Sequence, residues 1–156
     1  MMMAAAKLNF NKKGFNNMSK EDKNSELKFY RCNICGNIVC KIEDSGMPLN
    51  CCGKQMMELR PESTDGALEK HVPVYCKIGD EICVKVGEVL HPMEDFHHIV
   101  FVALHTDKGF YVHSVAHNDE PTTCFCIGED EKVLGVYDYC NLHGMYVNHE
   151  CRKDCD

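Results

Sequence analysis

The chain lacks any segment long enough to cross a membrane as a helix. Its longest apolar run, from Ile99 to Leu104, holds six residues, whereas a spanning helix needs about 20. The first residues contain no sustained apolar core of the kind that secretory leaders have. There is also no internal repeat and no long amphipathic helix. We therefore expect no membrane partner, and neither a repeat protein nor a helical bundle.

Basic residues are the minority, with 17 Lys and Arg against 24 Asp and Glu and a net charge of −7. This balance argues against a nucleic-acid partner. Residues 1–20 differ, since they hold four lysines and no acid. Residues 1–26 are rich in Asn, Lys and Met without periodicity, which predicts a disordered N-terminal extension. The expected location is cytoplasmic, with an organellar transit peptide in residues 1–20 as the alternative.

Twelve cysteines are many for 156 residues. Without a leader, metal-bound thiolates in a reducing compartment explain them better than disulfides do. Cys32 and Cys35 form a CxxC pair, and Cys51 and Cys52 follow as an adjacent pair. Four thiolates at this spacing indicate a tetrahedral site for iron or zinc. A glycine follows each pair and favours the turn that adjacent ligands require. Ligand type leaves a structural zinc knuckle open.

A second group of candidate metal ligands is spread over the rest of the chain. Its members are His71, His91, His97, Cys140 and His143. Four imidazoles and one thiolate exceed the four ligands of a structural zinc site. Five protein ligands with a sixth position open suggest a metal that does chemistry, and redox iron suits this ligand set best.

Short β-strands separated by turns dominate the pattern from residue 72 onward. Gly79-Asp80, Asp107-Lys108-Gly109 and Gly128-Glu129-Asp130 mark turns between them. About seven strands at this spacing predict an all-β, antiparallel sandwich. The predicted strands are 72–76, 82–90, 99–105, 110–115, 122–127, 133–139 and 145–149. Residues 27–60 also read as short strands and turns. This part is too short to build a core alone, so its metal would contribute folding free energy.

Five stretches resemble desulfoferrodoxin, the two-iron superoxide reductase family. They are CNICGNIV at 32–39, CCGKQM at 51–56, STDGALEKHVPV at 63–74, VKVGEVLHPME at 84–94 and CNLHG at 140–144. The resemblance implies a desulforedoxin-like Fe(Cys)4 domain over 27–63 and an immunoglobulin-like β-sandwich with an Fe(His)4(Cys) centre over 64–150. Residues 151–156 would then form a C-terminal tail.

The resemblance also implies an activity and its residues. The chain would reduce superoxide by one electron to hydrogen peroxide, as an antioxidant defence. The first iron would be held by Cys32, Cys35, Cys51 and Cys52, and the second, catalytic iron by the four histidines with Cys140. Lys70 would attract superoxide beside the open position, and Glu69 would occupy that position after oxidation. A rubredoxin-like electron donor and a homodimer are further implications.

One position departs from the family pattern. The residue after the third histidine is often tryptophan in the family, but here it is His98, and the chain has no tryptophan. Neighbouring residues in a strand point to opposite faces, so only one of His97 and His98 is expected to bind metal. The His91-x5-His97 spacing matches the family and favours His97.

Three other functions remain open on the residues alone. A non-catalytic electron carrier would use only the four-cysteine site, and a zinc-stabilised binding module would leave the histidines unexplained. A thiol oxidoreductase using Cys32 and Cys35 lacks the expected βαβ context. The cysteines in strand-like segments are expected to be small buried hydrophobes. They are Cys40, Cys76, Cys83, Cys124 and Cys126. Cys124 and Cys126 would share a face, which leaves a disulfide or a regulatory pair open there, although no other feature of the sequence supports it. Cys151 and Cys155 are expected to lie in a frayed tail.

Overall fold

The computed structural model describes residues 27–61 and 67–153. The predicted extension over 1–26 lies outside the described residues, as do residues 62–66 and residues 154–156, which include Cys155 of the predicted tail. Twelve strands and one short helix occur in the described part. They are β1 (Lys28–Arg31), β2 (Ile38–Lys41), β3 (Asn50–Cys51), β4 (Lys54–Gln55), β5 (Met57–Leu59), α1 (Leu68–His71), β6 (Pro73–Ile78), β7 (Glu81–Val86), β8 (Ile99–Thr106), β9 (Phe110–Ser114), β10 (Thr122–Cys126), β11 (Val133–Cys140) and β12 (Gly144–Asn148). No helix in these ranges is long and apolar enough to span a membrane.

Two antiparallel sheets form the larger part of the molecule. One has the strand order β10-β7-β6 and the other the order β12-β11-β8-β9. Along β7, the buried residues Ile82, Val84 and Val86 alternate with more exposed ones. This period of two turns one face of the strand toward the core. The buried face packs in one cluster with Val102 and Leu104 of β8. The predicted all-β antiparallel architecture is confirmed.

The N-terminal strands form a separate small sheet in the order β2-β1-β5, beside the two-stranded β3-β4 hairpin. Phe29 of β1 is buried and its ring lies 5.2 Å from that of Phe101 in β8, centroid to centroid. Leu59 of β5 joins the same cluster, together with Tyr137 and Met145. The small sheet is therefore anchored by apolar contacts to the four-stranded sheet. These contacts add folding free energy to whatever a metal contributes.

The seven strands predicted from residue 72 onward are all present, with ends that differ by up to four residues. The strand predicted over 82–90 ends at Val86, because Gly87 has a positive φ of 85° and turns the chain. The pattern did not predict the one-turn helix Leu68–His71. The prediction of buried cysteines in the strands was wrong. Cys124 and Cys126 are exposed, and Cys40, Cys76 and Cys83 are only half-buried. Cys83 and Cys124 form a disulfide instead.

The turn after β7 holds the segment that carries Glu69 and Lys70. The Gly87 amide donates to the carbonyl of Val72 (3.2 Å), and the Val89 amide donates to the carbonyl of Glu69 (3.1 Å). A Cβ at position 87 would lie 2.4 Å from the Val89 carbonyl oxygen and 2.7 Å from that of Lys70. Only glycine allows this conformation and this close approach.

We therefore expect Gly87→Ala to lower the free energy of unfolding by about 2 kcal/mol or more, from the positive φ and the clash together. Chemical denaturation with equal m-values would measure the loss. The matched control is Gly109→Ala, since nothing lies within 4 Å of a Cβ there. Equal stability of the two variants would contradict the role given to the turn.

Candidate metal centres

The four N-terminal cysteines converge on one point. Their sulfur atoms all lie within 4.8 Å of one another. The Sγ atoms of Cys35 and Cys51 are 3.6 Å apart, and those of Cys51 and Cys52 are 3.9 Å apart. Cys52 has a positive φ of 50°, and Gly36 and Gly53 have positive φ values of 80° and 73°. The expected turn after each cysteine pair is therefore present.

Backbone N–H groups and neighbouring sulfur atoms shift the pKa values of these thiols in opposite directions. Backbone hydrogen bonds from Cys35 and Ile34 lower the pKa of Cys32 to about 6. Contacts with the sulfur atoms of Cys35 and Cys51 raise the pKa of Cys52 to about 12. Four thiolates this close repel one another, so the fully deprotonated set requires a cation among them. The donor set and its spacing fit a tetrahedral Fe(Cys)4 centre.

The second group is assembled from ends of several elements. His71 ends α1, Cys140 ends β11, and His143 lies in the turn that follows Cys140. His91 and His97 lie in the connection between β7 and β8. One donor atom from each of the five residues lies within 4.8 Å of all the others. Strand ends and loops are where a rigid sheet can bring distant ligands together.

Two carbonyl groups fix which imidazole nitrogen faces the centre. Nδ1 of His71 donates to the Ala67 carbonyl (2.7 Å), and Nδ1 of His91 donates to the Pro92 carbonyl (2.6 Å). A carbonyl only accepts, so each Nδ1 carries the hydrogen and each Nε2 presents a lone pair. Such second partners orient ligating imidazoles in metal sites.

Two of the lone pairs on this inner side have no hydrogen-bond partner among the described residues. Nε2 of His91 and Nε2 of His97 are buried without a hydrogen bond. Nε2 of His71 lies 2.9 Å from Nδ1 of His143. Buried acceptors facing one another are costly unless a cation binds them. The residues therefore fit a bound metal, held by Nε2 of three histidines, Nδ1 of His143 and the Cys140 sulfur.

Burial keeps the imidazoles neutral, which metal ligation requires. Desolvation lowers the pKa of His91 to about 4 and also lowers the pKa of His71 and His97. Cys140 is fully buried, and desolvation raises the pKa of its thiol. Backbone N–H groups of Leu142 and His143 oppose that rise by hydrogen bonding to the sulfur. A metal cation would supply the remaining stabilisation of the thiolate.

Asn141 is a part of this site that sequence reasoning missed. Its Oδ1 accepts from the His98 amide (2.9 Å), and its Nδ2 donates to the Phe96 carbonyl (3.2 Å). The side chain thus ties the Cys140–His143 turn to the segment that carries His97. His98 points elsewhere, with Nδ1 3.1 Å from the Glu94 carbonyl. In the sequence, the only indication of a role for Asn141 was its place in the CNLHG stretch.

The acid and base that precede His71 both lie on α1. Glu69 and Lys70 are exposed, whereas His71 is buried. The Lys70 charge helps to lower the pKa of His71, and the Glu69 charge opposes that effect. Both charges therefore act on the His71 imidazole from the solvent side of the group.

These lowered imidazole pKa values predict how the metal-free protein responds to acid. Between pH 6.5 and about 4, the unfolded chain binds protons at His91 that the folded chain does not. The free energy of unfolding should therefore decrease by about 1–3 kcal/mol as the pH is lowered from 6.5 to about 4. Buried Asp138 has a raised pKa and contributes the opposite slope.

The pH dependence of the free energy of unfolding is measured by denaturation of chelator-treated wild type and His91→Gln. Asp138 is present in both proteins, so the difference between them gives the contribution of His91. The variant should lose part of the decline between pH 6.5 and 4, and His113→Gln, which changes an exposed histidine, should not. Identical pH slopes for wild type and His91→Gln would contradict the burial effect.

Two protein-family models match almost all of the described chain. The model described as Desulfoferrodoxin matches residues 63–149. The model described as Desulfoferrodoxin, N-terminal domain, matches residues 24–59. These matches cover the four-cysteine group and the histidine-cysteine group separately.

Individual relatives agree with the family models. The desulfoferrodoxin of Syntrophotalea carbinolica is 42% identical over 121 residues, covering 78% of this chain and 94% of the relative. A superoxide reductase of Pyrococcus abyssi is 36% identical over 104 residues, covering 56% of this chain and 90% of the relative. The crystal structure of the Treponema pallidum superoxide reductase superposes with a TM-score of 0.69 at 32% identity, covering 80% of this chain and 99% of the other.

Proposed function

The chain belongs to the desulfoferrodoxin family, and from this premise we propose that it reduces superoxide to hydrogen peroxide at its histidine-cysteine group. The observation that carries the proposal is the convergence of four imidazoles and one thiolate within 4.8 Å. A zinc-binding module would require only the four cysteines and would leave these buried lone pairs unexplained. The enzyme is an oxidoreductase with two iron centres, Fe(Cys)4 and Fe(His)4(Cys).

The reaction consumes one superoxide, one electron and two protons for each hydrogen peroxide. When bound, iron supplies a one-electron couple and an open coordination position. We assign its ligation to His71, His91, His97, Cys140 and His143. The Cys140 thiolate donates electron density to the centre, and its full burial keeps the sulfur away from solvent. The Ala67 and Pro92 carbonyls hold two imidazoles in the ligating tautomer.

Lys70 and Glu69 act from the exposed side of the group. The Lys70 ammonium attracts the superoxide anion toward the centre. Water held by that ammonium supplies protons to the reduced oxygen species. Glu69 would supply a carboxylate ligand to the oxidised iron. Exposure of both side chains supports these roles, since each must reach the solvent side of the centre.

Lys70→Ala should lower the second-order rate constant with superoxide about three- to tenfold and weaken its dependence on salt. Stopped-flow mixing or pulse radiolysis across an ionic-strength series measures both. Lys77→Ala is the control, because it removes the same charge from an exposed position on β6. If the two variants share one rate and one salt dependence, Lys70 does not steer the substrate.

The four-cysteine centre can hold an electron close to the surface of the protein. We assign its iron to Cys32, Cys35, Cys51 and Cys52, with a role in storing or relaying an electron. Cys35 and Cys52 are exposed, so an external donor can approach this centre. A rubredoxin-like donor, a homodimer and a cytoplasmic location complete the proposal.

Exposed apolar side chains next to the catalytic group support a protein donor. Phe96 and Leu142 directly precede His97 and His143, and they are 72% and 60% exposed. Val89 and Leu90, which precede His91, are also exposed. Large exposed apolar groups clustered around a site are typical of protein contact surfaces.

A further inference from the structure

Three cysteines outside the metal groups lie in a row across the sheet β10-β7-β6. Cys76 of β6 is directly opposite Cys83 of β7, and Cys83 is directly opposite Cys124 of β10. Directly opposed residues of antiparallel strands project to the same face of the sheet. Residues 82, 84 and 86 of β7 face the core, so the three cysteines share the outer face.

Cys83 is bonded to one neighbour and within reach of the other. A disulfide joins Cys83 to Cys124, with their Cα atoms 4.1 Å apart. The Val86 amide donates to Pro121 next to β10, and the Gly87 amide donates to Val72 next to β6. The backbone N–H and C=O groups of successive residues in a strand face its two neighbouring strands in turn. Those of Cys83 therefore face β6.

Cys76 and Cys83 therefore form a hydrogen-bonded pair, in which Cα atoms lie about 5.5 Å apart. That separation is within the range that disulfides span. Cys83 can consequently bridge to Cys124 on one side or to Cys76 on the other, without a change of strand register. Cys76 is a free thiol in the structure.

The row of three cysteines is open to solvent. Cys124 is exposed, and Cys76 and Cys83 are half-buried. All three line one open cavity of about 400 Å³ that Lys85 and Arg152 also line. The Arg152 amide donates to the Tyr75 carbonyl (2.9 Å), which holds the C-terminal segment against β6. The exposure of this row gives an oxidant access to it.

We propose that Cys76, Cys83 and Cys124 form a peroxide-responsive thiol–disulfide site, with hydrogen peroxide as its oxidant. The Cys124 thiolate attacks one oxygen of hydrogen peroxide, an S–O bond forms, and the O–O bond breaks to release hydroxide. Cys83 then attacks the oxidised sulfur, the S–S bond forms, and the S–O bond breaks. In sum, two thiols and one hydrogen peroxide give one disulfide and two waters.

Cys76 adds an exchange step that needs no oxidant. Its thiolate attacks the Cys83 sulfur, forms the Cys76–Cys83 bond and releases the Cys124 thiolate. The two disulfides are thus alternative oxidised forms, and an external dithiol returns either to the reduced state. This role rests on the proposed function, since hydrogen peroxide is the product of the proposed superoxide reaction and the site would remove or register that product.

The test uses the full-length, metal-loaded protein without oxygen and without superoxide. The protein is reduced with a phosphine, freed of reductant, treated with one equivalent of hydrogen peroxide, alkylated and digested with trypsin. Cys76 and Cys83 then fall on separate peptides, 71–77 and 78–85, and Cys124 falls on 109–132 with Cys126. Because hydrogen peroxide is added directly, failure here is distinguishable from failure of superoxide reduction.

We expect the wild type to form mainly the bond between peptides 78–85 and 109–132, with a smaller fraction joining 71–77 to 78–85. Cys124→Ser should form only the Cys76–Cys83 bond, and more slowly, because the half-buried Cys76 thiolate must then attack hydrogen peroxide itself before Cys83 displaces the S–O bond. Cys83→Ser should form neither bond. Cys126→Ser, the matched control on the same peptide and face, should behave as the wild type does. Cys76→Ser should lose the minor crosslink and keep the major one.

Three results would overturn the proposal. The first is that all three thiols remain fully alkylated after peroxide treatment. The second is that dithiothreitol fails to reduce the Cys83–Cys124 bond in the folded protein, which would make it a structural crosslink. The third is absence of any Cys76–Cys83 crosslink in both the wild type and a Cys124→Ser variant whose circular dichroism is unchanged. If Cys124→Ser does not fold, the presence or absence of the Cys76–Cys83 crosslink in the wild type supports or overturns the proposal.

Discussion

Replacing Cys140 with serine should abolish superoxide reduction while leaving the four-cysteine centre intact. Cys140 is fully buried at the end of β11 and is the only sulfur among the five converging donors. Serine is nearly isosteric but is not ionised at neutral pH and donates little electron density. We expect the rate with superoxide to fall at least a hundredfold, because both metal affinity and the electronic character of the centre depend on the thiolate.

Metal analysis and visible spectroscopy of the purified Cys140→Ser protein separate the two centres. The thiolate-to-iron bands of the four-cysteine centre should persist, and any separate band of the histidine-cysteine centre should be lost. Cys151→Ser is the control, since Cys151 is an exposed cysteine outside both groups. Full superoxide reactivity of Cys140→Ser would refute the assignment of the thiolate ligand.

The second large effect concerns the neighbouring histidines at positions 97 and 98. His97→Ala should remove one ligand and cut superoxide reactivity at least tenfold, with loss of iron from the second centre. His98→Ala should retain iron and most of the activity. The reason is geometric, since Nε2 of His97 lies buried within the group while His98 lies beside Glu94 and His117.

The pair is informative because each variant controls for the other. Each variant removes one imidazole, and the two positions are adjacent in the sequence. The two proteins therefore have the same composition and differ only in which histidine is lost. Iron content per chain, followed by the superoxide rate per iron, gives the comparison. Loss of iron in His98→Ala with retention in His97→Ala would reverse the choice that the His91-x5-His97 spacing made.

Spacing in the sequence predicted much of the architecture and the four-cysteine group, whereas the histidine-cysteine group also depended on the resemblance to the family. The structure brings each group together. Turn signals such as Gly79-Asp80 and Asp107-Lys108-Gly109 predicted the strands, because they divide the chain into segments of strand length. The Cys32-x-x-Cys35 pair and the Cys51-Cys52 pair, each with a following glycine, predicted a converging site. The structure places their sulfurs together and gives Cys52 a positive φ.

Features that depend on register between distant strands could not be predicted in this way. The Cys83–Cys124 disulfide joins residues 41 positions apart, and only the pairing of β7 with β10 brings them together. Five cysteines in strands were therefore interpreted as buried hydrophobes. The Asn141 bridge to Phe96 and His98 has the same cause, because it links two turns that are distant in sequence.

Local features were missed for a different reason. The helix Leu68–His71 is a single turn, too short to show a helical period. The strand predicted to reach Leu90 stops at Val86 because the Gly87 turn must accommodate the Lys70 carbonyl, a tertiary contact that propensity does not encode. The imidazole tautomers likewise depend on carbonyl groups whose positions only the fold determines.

The most direct test of the central claim is the yield of hydrogen peroxide per superoxide in a single turnover of the fully reduced protein. Reduction by the protein's own electron predicts one hydrogen peroxide for each superoxide, with no dioxygen released. Pulsed superoxide with peroxide and oxygen detection, on protein whose Cys76, Cys83 and Cys124 are alkylated, measures that ratio without loss of product to the thiol site. One hydrogen peroxide for two superoxides, with dioxygen evolved, would identify dismutation and contradict the account.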